Sequence, residues 1–173
     1  MSPDKQRLAE SIRMAIDLEK KGRSFYLEAA AKSVNPTGKA IFTRLADEEA
    51  LHLLTFERML DQSASLTKWR EWVTAYPEHP PIPLFDENAV RSSKKASADE
   101  LQALRIAMRQ ESEAMHYYGS IAGMAEEEEV RKIFDFVRQQ EVYHYDLLQA
   151  EYDAITQSGF WFDTPEFRMD GKF

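Results

Sequence analysis

The 173-residue chain is 43% hydrophobic and 30% charged, which supplies one packed domain with a core and excludes whole-chain disorder. It contains no cysteine, and this excludes disulfide scaffolds, thiol catalysis, iron–sulfur clusters and cysteine-held zinc. A net charge of −8 at pH 7 lacks the basic footprint of a nucleic-acid binder and offers no charge attraction to anionic membranes.

Residues 4–34 hold one Gly and no Pro, and Leu8, Ile12, Ala15, Ile16, Leu18, Phe25, Tyr26 and Ala30 recur at helical spacing. Ser2 is placed to cap this first helix, with Pro3 at its first turn. Asn35-Pro36-Thr37-Gly38 breaks the pattern. A second helical run over 38–62 carries Ile41, Phe42, Leu45, Leu51, Leu53, Phe56, Met59 and Leu60.

Residues 63–96 contain Pro77, Pro80, Pro81 and Pro83 and read as a long crossover connection, with Trp69 and Trp72 in a short helix at its start. Ser97-Ala98-Asp99-Glu100 matches a capping box and opens a third helix over 98–124. Glu126-Glu127-Glu128-Glu129 reads as a solvated turn that leads into a fourth helix over 129–157. An aromatic tail from Gly159 closes the chain.

The expected fold is all-α: a four-helix bundle of two antiparallel hairpins joined by a long crossover. Residues 1–158 form the bundle, and 159–173 form a tail that packs on it or on a dimer partner. The charged opening MSPDKQRLAE leads into no signal-peptide core. No run reaches the roughly 18 uninterrupted apolar residues of a membrane span. A cytoplasmic protein without membrane or nucleic-acid partners is the expectation.

A shift of 92 positions lays one half of the chain on the other. Glu19 falls on Glu111, Glu49 on Glu141, His52 on His144, Phe25 on Tyr117 and Tyr26 on Tyr118. Arg13, Ala15, Ile41 and Phe42 fall on Arg105, Ala107, Ile133 and Phe134. The polar positions shared by both halves sit where a core rejects charge. Glu19 follows Ile12, Ala15 and Ile16 on one helix face, and Glu111 follows Leu104, Ala107 and Met108. Glu49 and His52 share the stripe of Leu45 and Phe56; Glu141 and His144 share that of Val137 and Leu148.

Heights agree as well as faces. The midpoint between Glu19 and the Glu49/His52 pair falls near residue 35, and that between Glu111 and Glu141/His144 near residue 127. Both are the turns already placed. At about 1.5 Å rise per residue, each set lies roughly 24 Å from its turn, so all six groups converge at mid-bundle. Four ionised Glu in a dry core cost more than a domain's net stability. Two divalent cations balance their four charges. Oxygen-rich ligation with one imidazole per metal suits iron or manganese over copper.

One Glu from each of two helices, with Glu-x-x-His from each of the other two, resembles the ferritin-like di-iron carboxylate proteins. The stretch Ala15–Tyr26, the segment Asp47-Glu48-Glu49-Ala50-Leu51-His52 and the Gly-Phe-Trp-Phe-Asp ending are most similar to the rubrerythrin branch. The resemblance implies that Glu49 and Glu141 bridge two metal ions, that Glu19 and Glu111 are terminal ligands, and that His52 and His144 complete the set. It implies two iron ions per chain, with manganese or zinc as alternatives.

Two departures stand out. The chain has no cysteines for a rubredoxin-type iron module, so electrons come from an external protein or reductase. The family's extra carboxylate of the third helix has no regular counterpart: Ala114 stands three residues after Glu111, and Glu113 lies about 200° around the helix from it, so that only a local helix distortion would bring it inward to the metal shell. Glu113-x-x-His116 has no repeat partner, since Lys21 and Ser24 occupy the matching positions. It reads as exposed or as an outer partner of the ligands. Tyr26 and Tyr118, seven residues after a candidate ligand and on its face, are candidates to orient the carboxylates by hydrogen bonding. His79, in the Pro-rich connection, reads as solvated.

The functional expectation is an oxidoreductase that reduces hydrogen peroxide or dioxygen, assembled by analogy as a homodimer. Two alternatives are a ferroxidase for iron storage or transfer and a bundle that metal only stabilises.

Overall fold

The computed structural model of the protein describes residues 3–61 and 98–156. They form four helices: α1 (Pro3–Lys32), α2 (Pro36–Leu60), α3 (Ala98–Met124) and α4 (Glu128–Thr156). No strand occurs among the described residues. The crossover over 63–96 with Trp69, Trp72 and His79, the cap at Ser97, and the tail over 159–173 lie outside them.

Local chemistry sets the helix ends. Asn35, extended at φ −79° and ψ 121°, accepts the Thr37 backbone N–H at 3.0 Å on its side-chain oxygen, and Pro36 follows at the first helical position. Asp99 and Glu100 occupy the first turn of α3, and Glu128 and Glu129 that of α4, where acids offset the exposed N–H dipoles. The turns between paired helices are three residues long, which forces the partners antiparallel. Thus α1 packs along α2 and α3 along α4, while α1 meets α3 and α2 meets α4 across the bundle.

The core is split into two apolar layers. One holds Ile12, Ala15, Ile16, Phe56, Tyr118, Ile121, Val130, Phe134 and Val137. The other holds Tyr26, Ile41, Phe42, Leu45, Leu104, Ala107 and Leu148. Aromatic rings dominate the first, where Phe56 and Phe134 stand 5.1 Å apart between centroids. On every helix the two layers are separated by one polar stretch: Glu19 on α1, Glu49 and His52 on α2, Glu111 on α3, Glu141 and His144 on α4. Leu18, read above with the α1 stripe, is 37% exposed. It lies two residues from Ile16, about 200° around the helix.

A polar clasp joins the hairpins at one end. Glu100 on α3 accepts the Asn35 backbone N–H at 3.1 Å and the Ser33 hydroxyl. Glu151 on α4 accepts the Asn35 side-chain amide at 2.8 Å. Their repeat counterparts are Leu8 and Met59, which pack on the first apolar layer.

Candidate metal centre

Helical spacing delivers the polar groups to one level. Residues three apart share a face, so Glu49 and His52 on α2, and Glu141 and His144 on α4, point inward together. Glu19 and Glu111 enter from α1 and α3. All six are buried, none more than 4% exposed.

Their ligand atoms form two overlapping groups. Glu19, Glu49, His52 and Glu141 each present one within 4.8 Å of the others, and so do Glu49, Glu111, Glu141 and His144. Glu49 and Glu141 belong to both. His52 Nδ1 stands 3.3 Å from Glu141 Oε1, 3.6 Å from Glu19 Oε2 and 3.9 Å from Glu49 Oε2. His144 Nδ1 stands 2.9 Å from Glu141 Oε2, 3.3 Å from Glu49 Oε1 and 3.7 Å from Glu111 Oε1. The two imidazoles face each other, centroids 5.5 Å apart and planes 22° from parallel.

The electrostatics are those of acids crowded in a dry place. Burial pushes the Glu49 carboxyl well above the usual carboxylate range, and Glu19 and Glu141 push it further. Burial, then Glu141, raises Glu111 to about 8. Burial also penalises an ionised Glu141, but the two imidazoles outweigh it and hold that carboxyl well below its ordinary value. Burial disfavours the charged imidazoles too, and Glu141 reverses that, raising both His52 and His144.

The donor set fits divalent cations. Glu19 Oε2, Glu141 Oε2, His52 Nδ1 and His144 Nδ1 are buried and lack a hydrogen-bond partner among the described residues. Four carboxylates with two imidazoles are donors suited to iron or manganese.

The family model for rubrerythrin matches residues 10–152, a span that takes in all six of these residues. The chain belongs to the rubrerythrin family. Its four helices are the ferritin-like bundle of that family, whose members typically bind iron. No curated protein and no solved structure gives a significant match.

Within this rubrerythrin-family bundle the tyrosines cross over. Tyr26 donates to Glu111 Oε1, and Tyr118 donates to Glu19 Oε1. Each tyrosine therefore serves the carboxylate of the other half rather than the one seven residues before it. A helical side chain leans toward its own N-terminus, which brings Tyr26 to the level where α3 carries Glu111. Burial raises both hydroxyls well above their ordinary value, and the carboxylates they face raise them further, so both remain protonated donors.

Glu113 lies away from the cluster. It is exposed and accepts Arg109 Nε at 2.8 Å, and His116 beside it is also exposed. Its reading as an outer partner of the ligands is corrected: a residue about 200° around α3 from Glu111 faces solvent on a regular helix. Arg13 and Arg105 are exposed too, and Arg105 donates to the Tyr152 hydroxyl at 3.0 Å.

One residue of the site has no counterpart in the repeat. Glu48 is 7% exposed, and its Oε2 lies 2.8 Å from His144 Nε2. Its Oε1 accepts Arg44 Nε at 2.8 Å. Burial works against an ionised Glu48, but His144 and Arg44 overcome it and lower the carboxyl to about 2. The doubled acid Glu48-Glu49 beside Leu45 was the available sequence signal, and the 92-residue repeat hides it because Gln140 occupies the matching position.

Proposed function

We propose that this chain is a rubrerythrin-type oxidoreductase that holds two iron ions and reduces hydrogen peroxide or dioxygen with electrons from an external donor. The observation that carries the reading is the sharing of Glu49 and Glu141 between two four-residue ligand groups. Two groups with two common carboxylates describe a dinuclear site. Glu19 and His52 would serve one ion, Glu111 and His144 the other, and Glu49 and Glu141 both.

Bound there, the two ions supply Lewis acidity and a pair of electrons for O–O bond reduction. The protein's own groups do the rest. The four carboxylates offset the charge of the ions. Tyr26 and Tyr118 hold Glu111 Oε1 and Glu19 Oε1 and keep those side chains aimed inward. The two apolar layers above and below exclude bulk water from the site. In this reading a separate protein or reductase supplies the reducing equivalents. A cytoplasmic homodimer completes the proposal.

The test is anaerobic reconstitution with Fe(II) followed by rapid mixing with hydrogen peroxide or air. The expected result is two irons per chain, near-ultraviolet absorption of the oxidised pair within one turnover, and repeated peroxide consumption when a reductant is supplied. Oxidation without re-reduction, in a protein that accumulates ferric iron in a large assembly, would favour iron storage. Metal that raises thermal stability while the iron stays unreactive would leave only a structural role.

A further inference from the structure

The two halves of the centre match in their carboxylates and tyrosines but not in what stands behind the imidazoles. Tyr26 on Glu111 mirrors Tyr118 on Glu19, and Glu49 and Glu141 are common to both groups. Behind His144, however, Glu48 Oε2 sits 2.8 Å from Nε2, and Arg44 pins the other oxygen of that carboxylate. The repeat places Phe136 and Gln140 at the positions of Arg44 and Glu48. The repeat positions that correspond to this pair therefore carry one aromatic residue and one neutral amide. His52 Nε2 is buried with no hydrogen-bond partner among the described residues.

Building on the dinuclear reading, we propose that the two metal positions are unequal, and that Glu48 makes the Glu111/His144 position the one that fills first. The physical basis is the hydrogen bond behind the ligand. With Nε2–H donated to an anionic carboxylate, His144 is locked in the tautomer that presents the Nδ1 lone pair to the carboxylate cluster. The negative charge of Glu48 also pushes electron density through the ring and strengthens Nδ1 as a donor. The Arg44 bond removes the rotational freedom Glu48 would otherwise lose on pairing. His52 has no anion at the matching repeat position, where Gln140 is a neutral amide, and its Nε2 has no hydrogen-bond partner among the described residues. Glu48 is thus a positioning residue that acts through His144. Loss of such a partner commonly lowers metal affinity about 10- to 100-fold.

Zn(II) is the probe, because it takes the same donor types and is diamagnetic. The full chain, labelled at the histidine ring nitrogens, is titrated with Zn(II) and followed by NMR. At one equivalent the His144 ring resonances shift to their final positions while those of His52 remain at their metal-free positions. The second equivalent then moves His52. In the two-zinc protein the His144 Nε2–H proton is the more downfield and the slower to exchange. In the Glu48→Gln variant the order is lost: both rings titrate together, the first step weakens about tenfold or more, and capacity stays at two.

Rings that move together in the unaltered protein, or His52 moving first, would overturn the inference and leave the dinuclear reading intact. So would a titration order unchanged in Glu48→Gln. Uptake of fewer than two Zn(II) per chain would overturn both. The unaltered protein decides the order of filling by itself, so the inference stays falsifiable if the variant fails to fold.

Discussion

The Tyr118 hydroxyl donates to Glu19 Oε1 across the two halves of the chain, and so holds one oxygen of a carboxylate whose other oxygen faces His52 Nδ1 at 3.6 Å. The expected consequence of Tyr118→Phe is a folded protein with looser metal binding. Loss of a hydrogen bond that orients a ligand should weaken uptake about tenfold while capacity stays at two ions. Equilibrium dialysis with Co(II) measures both. Tyr26→Phe should behave alike, since it plays the same part toward Glu111.

Glu49 and Glu141 should be the most costly positions to change for metal content. Because each belongs to both ligand groups, Glu49→Ala or Glu141→Ala should abolish two-ion occupancy. Elemental analysis still showing two ions per chain would contradict the shared assignment. Without metal, Glu49→Gln should have the opposite sign. It removes an acid that burial first, and then Glu19 and Glu141, force toward protonation, and should stabilise the metal-free fold by about 1 kcal/mol in chemical denaturation.

The clasp at the bundle end predicts a pH dependence. Burial raises the Glu151 carboxyl to about 7; the Asn35 amide lowers it, and Glu100 raises it further. The ordinary Glu value in an unfolded chain is about 4.3. Between those values the folded state holds the proton and the unfolded state does not. The contribution of Glu151 to stability therefore falls as pH rises from about 4.3 to 7, and the ionised form is penalised above that. Glu151→Gln should match the parent protein near pH 4 and exceed it by about 3 to 4 kcal/mol at pH 8. Denaturation series on the metal-free protein at the two pH values check this. Equal differences at both would refute it.

Glu113→Ala should leave metal content and thermal stability almost untouched. Its carboxylate is exposed and pairs with Arg109 one turn earlier, a solvent-screened contact that contributes little to stability. Loss of an ion in this variant would restore Glu113 to the site.

The four helices and most of their inward faces were legible from periodicity, and the turns from the Asn35-Pro36-Thr37-Gly38 break and the acidic run at 126–129. The repeat singled out Glu19, Glu49, His52, Glu111, Glu141 and His144, because a two-ion centre built from duplicated hairpins leaves the same donors in both halves. Buried acids present in only one half escaped that filter. Glu48, Glu100 and Glu151 stand opposite Gln140, Leu8 and Met59 in the repeat, and each reads locally as an ordinary helix-surface acid. Their burial follows from how the hairpins dock: Glu48 meets His144 from 96 residues away, and Glu100 and Glu151 close on the Asn35 turn. The crossed tyrosines belong to the same category. Spacing along α1 puts Tyr26 on the face of Glu19, but only the antiparallel partner helix decides that the hydroxyl reaches Glu111. A helical period reports which way a side chain points, and the packing of separate helices decides what it touches there.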